Sequence, residues 1–329
     1  MNFEQLFTGF QSIRVAIVGD VMLDTYWWGS VDRISPEAPV PVVALKNKEL
    51  RVGGAANVAL NTASLGAKTT MISIVGADTD GAQLLELLND KHIDTSYIRS
   101  VSNRVTTNKT RIMSRNQQMM RLDAEITTDI DEATENILIE QVKNCLDEQQ
   151  PQVLIFEDYN KGVITERVIH EVTTLCKERN VIIAVDPKKK NFLSYKDVTI
   201  FKPNLKEVKE GLNLSVDHID LSSLQQIHQR LQEHLHHQIS LITLSEKGVF
   251  YQDETSHKII PTHIRNIADV SGAGDTVIAV TSLCYAATRD MHLAAEMANI
   301  AGGLVCEQVG TAAIDRDKLL QECEILLGE

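Results

Sequence analysis

The run Asp269-Val-Ser-Gly-Ala-Gly-Asp275-Thr276 joins a carboxylate to a turn of small residues. Gly272, Ala273 and Gly274 leave backbone N–H groups open to close approach, and the apolar run Thr276 to Thr288 reads as a helix starting there. Unsatisfied donors and the positive end of a helix dipole favour anionic oxygens such as those of phosphate. Asp275 closes the turn. A carboxylate beside a phosphate is repelled unless it has a task, such as taking a proton from an attacking hydroxyl. Capping of a plain helix start is the simpler use of the same residues.

Other loops carry complementary groups. Gly53-Gly54-Ala-Ala-Asn57 opens a helix, with glycines for close backbone approach and an amide that both donates to and accepts from hydroxyls. Asp20 and Asp24 follow an apolar run and suit bidentate contact with polyols, or form a solvated loop. In Asn204-Leu205-Lys206-Glu207 the amide and the carboxylate lie three apart, on one helical face, where they could organise water around Mg2+ beside a triphosphate. The same spacing is that of a capping box. Thr243, Glu246 and Gly248 sit in a small polar turn fit for nucleotide phosphates or ribose, or for a hairpin, and Asp158 with Lys161 pairs a carboxylate with a cation. Arg33 and Arg51 fall in one irregular region, Arg111, Arg115 and Arg121 in another. Guanidinium forks suit phosphate, which points to a substrate already phosphorylated at its far end; surface ion pairing is the alternative for each arginine alone. Lys188-Lys189-Lys190 reads as a solvated charge run.

These loops need a frame that brings them to one edge. Arg14–Val18, Thr69–Val75, Val153–Phe156, Val181–Val185, Thr199–Phe201 and Ser240–Leu244 are short apolar runs suited to strands covered on both faces. Helical patterns alternate with them: Ala55–Leu65, Asp80–Lys91, Asp131–Glu148, Glu166–Arg179 and Leu221–Leu235, and Thr276 onward is nearly all helical. The alternation predicts an α/β fold with a mostly parallel sheet between helical layers, and ligands at the carboxyl ends of its strands. Residues 31–51 and 104–123 break the rhythm and predict strand excursions that form a small β lid.

The bulk numbers narrow the class. A formal charge of −13 argues against nucleic acid or an anionic membrane surface as partner. No stretch approaches the roughly 20 apolar residues of a membrane span, and the N-terminus lacks a signal-peptide core. Five dispersed cysteines without a C-x-x-C pair read as buried thiols of a reducing compartment, so a cytoplasmic protein is expected.

Together the motifs resemble the ribokinase/PfkB family of ATP-dependent sugar kinases over essentially the whole chain. The turn 53–57 resembles that family's N-terminal signature and residues 269–275 its C-terminal one. The resemblance implies a single ribokinase-like domain over 1–329 with lid excursions at about 31–51 and 104–123. By position it implies Asp275 as catalytic base, Gly272 to Gly274 as the anion hole, Asn204 to Glu207 as the N-x-x-E element near Mg2+, Asp24 as the sugar-binding acid, and Asp269 with Ser271 where some members hold K+. Val21-Met-Leu-Asp24, Arg33 to Val43, Ser114-Arg-Asn-Gln-Gln118, Arg121-Leu-Asp123 and Asp158-Tyr-x-Lys161-Gly162 are similar to the branch acting on D-glycero-D-manno-heptose 7-phosphate. That branch phosphorylates the anomeric hydroxyl on the way to ADP-heptose and the lipopolysaccharide core. It implies a homodimer, since lid strands pair between subunits in the family. The chain ends at Glu329 without the H-x-G-H motif of the fused nucleotidyltransferase, so a stand-alone kinase is expected. Asp186-Pro-Lys-Lys-Lys190 departs from the branch's Asp-Pro-Lys-Gly, and Arg51-Val52 from its Arg-Pro. A kinase of fructose or tagatose phosphate, and a non-catalytic sugar or nucleotide sensor, are the competing readings.

Overall fold

The computed structural model describes residues 2–115, 117–214 and 218–328. Asn116, inside the 114–118 motif, lies outside them.

Thirteen strands are formed among these residues. They are β1 Arg14–Gly19, β2 Val21–Ile34, β3 Pro41–Gly54, β4 Lys68–Gly76, β5 Asp94–Val101, β6 Thr107–Ser114 and β7 Gln117–Ala124. The remainder are β8 Val153–Glu157, β9 Ile182–Asp186, β10 Ile200–Phe201, β11 Ile239–Thr243, β12 Val249–Gln252 and β13 His257–Ile260. Nine of them make one sheet in the order β13-β12-β11-β10-β9-β8-β1-β4-β5, parallel from β11 to β5, with β12 and β13 antiparallel at one edge. The expected parallel sheet is there, and so are its six anticipated strands, each within a residue or so of its expected end. β5 and the β12–β13 edge complete it.

The helices are α1 Phe3–Gly9, α2 Ala55–Ser64, α3 Thr79–Asp90, α4 Glu132–Gln149, α5 Glu166–Glu178 and α6 Leu205–Gly211. They continue as α7 Leu221–Leu235, α8 Ala273–Thr288, α9 Met291–Val305 and α10 Arg316–Leu327. Strand alternation sorts them into layers. Val15, Ile17, Val153, Ile155 and Ile182 pack with α2, α8, α9 and α10, while Ala16, Val18, Leu154, Phe156 and Ile183 pack with α4, α5 and α7. Caps fix several starts: Asp78, Asp131, Thr165, Asp220 and Asp290 each accept a backbone N–H three residues on. No helix is long and apolar enough to cross a membrane among the described residues. All five cysteines are buried free thiols, as expected.

A second sheet stands apart, in the order β3-β2-β6-β7. It is the expected lid, larger than the excursions at 31–51 and 104–123 suggested. β2 begins at Val21, two residues after β1, because Val21 to Tyr26 are all buried and hide the alternation that marks a half-exposed strand.

Candidate active site

Parallel strands end on one edge, so Gly19, Glu157, Asp186, Phe201 and Thr243 converge, and α8 starts above them. Gly272 caps α8 at φ +79°; a Cβ there would lie 2.8 Å from Asn57 Nδ2. Only glycine meets both demands. Asp275 on the first turn is 3% exposed, and its oxygens accept from Asn57 Nδ2 and the Tyr159 hydroxyl, both at 2.7 Å. Burial pushes its carboxyl above the ordinary range, while the bonds from Asn57 and Tyr159 pull the other way. Asp275, expected as the base, is thus held by two neutral donors; neither bond was part of that expectation, and Tyr159 was not foreseen, although it sits inside the 158–162 motif.

Beneath Gly274 lies a charged cluster. Lys202, 3% exposed, meets Asp186 at 2.7 Å, and Lys188 lies 3.4 Å from Asp186 and 2.8 Å from Glu207. Burial works against the Asp186 charge, yet Lys188 and Lys202 hold its carboxyl below the ordinary range. The expected solvated run of lysines is therefore wrong at its first member. Lys189 stays exposed, but Lys188 turns inward over the Tyr159 ring, 5.3 Å from its centroid. Glu207 serves two ends: Oε2 closes a capping box with Asn204, and Oε1 takes Lys188.

On the lid side, Asp24 is 3% exposed and pairs with Arg111 at 2.5 Å; a side chain at Gly53 would strike its Oδ2. Arg51 spans from the lid to the Val309 and Thr311 carbonyls, and Gly54 seats β3 on the Asp20 carbonyl through the Ala55 N–H. Lys109, two residues from Arg111 on the same face of β6, also lies over the Tyr159 ring, 6.0 Å from its centroid. Burial and nearby Lys161 hold its ammonium pKa below the ordinary value. Arg121 is opposite Arg111 in the β6–β7 ladder and pairs with Asp123. Arg33 and Arg115 are exposed, Arg115 in the turn after β6.

Several expected residues have another setting. Asp158 was expected beside the substrate. Alternation along β8 turns it to the opposite layer, where its oxygens accept from Asn160 N, Asn191 Nδ2 and the Tyr195 hydroxyl. Lys161 pairs with Glu125 at 2.8 Å. Asp20, missed as a positioning group, accepts the N–H groups of Tyr159, Lys161 and Val163 and so fixes that loop. Lys206 extends to solvent, and Leu205 packs on the core.

Behind the glycine turn opens a cavity of about 610 Å³ lined by Thr243, Glu246, Gly248, Ala273, Gly274 and Val277 among others. Three of the residues expected to hold a nucleotide thus share a pocket with two of the anion-hole residues; Asn204, Leu205 and Lys206 are not in its lining. Asp269 accepts the Ser271 N–H and hydroxyl on Oδ1 and the Gly310 N–H on Oδ2, tying the start of the turn to the loop that meets Arg51.

The model of the pfkB family carbohydrate kinases matches residues 12–318. A bifunctional protein HldE from Helicobacter hepaticus is 38% identical over 311 residues, 94% of this chain and 64% of that protein. The HldE of Magnetococcus marinus is 39% identical over 314 residues, 95% of this chain and 64% of its own length. The chain thus spans less than two thirds of the curated relatives it matches. Among solved structures, phosphofructokinase-2 from Escherichia coli in complex with potassium superposes with a TM-score of 0.79 at 17% identity, covering 96% of this chain and 100% of that one. Arabidopsis thaliana ribokinase complexed with ribose and ATP gives 0.72 at 18% identity, covering 94% and 99%.

Proposed function

The chain belongs to the pfkB family of carbohydrate kinases, ATP-dependent phosphotransferases acting on a sugar hydroxyl, and from that premise we propose that its acceptor is the anomeric hydroxyl of D-glycero-D-manno-heptose 7-phosphate. The product is the 1,7-bisphosphate, a precursor of ADP-heptose. The observation that carries the reading is the placement of Asp275, between a nucleotide-sized cavity on one side and the basic inner face of a lid on the other. The identity to HldE proteins supports the heptose.

In the proposed reaction ATP lies in the cavity along Thr243, Glu246 and Gly248, with its γ-phosphate at the N–H groups of Gly272 to Gly274. The sugar lies under the lid against Asp24, Gly53, Gly54 and Asn57, whose buried Oδ1 is free to accept a hydroxyl. Asp275 takes the hydroxyl proton as the oxygen attacks the γ-phosphorus; the bond to the β,γ-bridging oxygen breaks and ADP leaves with that electron pair. Lys188, Lys202 and the α8 N-terminus stabilise charge on the transferring group. Glu207, with Oε1 held 2.8 Å from Lys188, would fit an outer, water-mediated contact to Mg2+, which would neutralise phosphate charge there. Arg111 and Lys109 on the inner lid face, with Arg121 next to them, meet the 7-phosphate, and Arg33 and Arg115 close over it from the lid's exposed parts. Asp269 and Ser271 remain candidates for a K+ site near the turn. The chain acts as one ribokinase-like domain, and as a homodimer through the lid, where Met120 and Leu122 of β7 are 56% and 47% exposed.

ADP release with heptose 7-phosphate, unphosphorylated heptose, fructose 6-phosphate and tagatose 6-phosphate tests the reading. Turnover should be greatest with heptose 7-phosphate. A ketohexose phosphate turned over while the heptose phosphate is not would sink it.

A further inference from the structure

One acid in the cleft has no task in this reaction. Glu157 ends β8 directly beside Asp186 in the parallel ladder, and alternation turns both side chains to the layer of α8. There they meet Asp275, and one oxygen from each of the three lies within 4.8 Å of the others. Glu157 is 0% exposed, and neither of its oxygens has a hydrogen-bond partner among the described residues. Its two neighbours are provided for: Asp186 has Lys188 and Lys202, and Asp275 has Asn57 and Tyr159. An ionised carboxylate buried without donors costs several kcal/mol.

The charges of the cleft do not balance. With all four ionised, Glu157, Asp186, Glu207 and Asp275 would carry −4 against +2 on the lysines that contact them, Lys188 and Lys202. Burial and the neighbouring acids oppose that charge on Glu157 most of all, so its ionised form needs a cation that these residues do not supply. We propose that Glu157 and Asp186, with Asp275 on the third side, bind a divalent cation directly, before any nucleotide enters. Three carboxylates without nitrogen or sulfur ligands select a hard ion of the Mg2+, Mn2+ or Ca2+ class. A span of 4.8 Å is about twice a Ca2+–oxygen bond, and would close by about 0.6–0.8 Å around Mg2+. The site differs from the water-held ion at Glu207, whose oxygens go to Lys188 and the helix cap. Its effect is to cancel the surplus negative charge under the anion turn.

The test needs neither sugar nor ATP, so its failure leaves the kinase reading standing and the reverse also holds. Mn2+ is titrated into nucleotide-free protein and followed by the loss of the free-ion EPR signal, with Mg2+ as competitor. Wild type should bind one Mn2+ per chain. Glu157→Gln should weaken binding by about tenfold or more, as expected for loss of a ligating charge, and Glu207→Gln should stay within about threefold of wild type. Mn2+ should raise the Tm of wild type but not of Glu157→Gln, which in metal-free buffer should melt at or above wild type. If that variant does not fold, Glu157→Ser replaces it. No Mn2+ bound by wild type at millimolar ion, or equal binding by the Glu157 variant, overturns the proposal; the latter outcome would mean that Glu157 is buried as the neutral acid.

Discussion

Asp275→Asn removes the base, and with it one side of the proposed cation site, while leaving the nucleotide cavity as it is. The substitution keeps the side chain's volume, and the local bonds can be rebuilt. The new amide oxygen accepts from Asn57 Nδ2, now 2.7 Å from a carboxylate oxygen, and the new NH2 donates to Tyr159, whose hydroxyl reverses to accept. The reversed Tyr159 hydroxyl and the second amide N–H lose or lack an acceptor, which costs about 1–2 kcal/mol against the relief of the buried carboxylate, so net stability should change by no more than about 1–2 kcal/mol. Catalysis is another matter: a positioned general base is worth about 10²- to 10⁴-fold, or about 3–5 kcal/mol on the barrier. Asp275 does not line the 610 Å³ cavity, so ATP affinity should hold within about threefold. The assay is coupled ADP release for kcat, with ATP binding by calorimetry on the same preparation. A kcat within tenfold of wild type refutes the base assignment, and an equal loss of ATP affinity refutes the separation of roles.

Tyr159→Phe removes a donor to the ionised base, so the acid limb of kcat/KM should move to higher pH than in wild type, with about a three- to thirtyfold loss at neutral pH; an unshifted limb would leave Tyr159 without a role in holding Asp275. Wild type itself should lose activity, as pH falls, above the ordinary aspartate range, because burial has raised the Asp275 pKa and the base works only when ionised. Arg111→Ala should cost about tenfold or more in kcat/KM with heptose 7-phosphate and far less with unphosphorylated heptose; equal losses would assign Arg111 to Asp24 alone. Asp158, raised from 3.8 to about 6 mainly by burial, favours the folded state only while protonated. Its contribution, about 3 kcal/mol for a shift of that size, is complete below pH 3.8 and is lost as pH rises through about 6. Urea unfolding from pH 4 to 7 should show that loss in wild type and not in Asp158→Asn.

The glycine turn, Asn57 and the parallel frame were legible because local chemistry and periodicity agree there. Where reading failed, the failure was one of register. The apolar run of β8 reads as ending at Phe156, so Glu157 was passed over and Asp158 was placed among the substrate-binding residues. In a strand the two point to opposite layers: Glu157 joins Asp186 and Asp275 under α8, and Asp158 anchors Tyr195 and Asn191 on the far side. Lys188 was lost in the same way. A run of three lysines looks solvated until the end of β9 at Asp186 fixes which of them faces Glu207.

Those register effects bear on how the cleft handles charge. The chain carries a net charge of −13, yet the groups nearest the anion turn are arranged in pairs, with Lys202 on Asp186, Lys188 on Asp186 and Glu207, and Arg111 on Asp24. In each pair the carboxylate fixes the position of a cation that would otherwise swing on a flexible stem, so the positive charge is already in place when phosphate arrives. Each pairing also lowers the net attraction for that phosphate, a shortfall that the proposed cation would make good. Glu157 is the acid for which no protein cation is provided, and it adjoins the base. With Lys188 and Lys202 both engaged by carboxylates, the proposed divalent ion would be the free positive charge under the turn, and metal dependence would follow from the strand register as much as from the nucleotide.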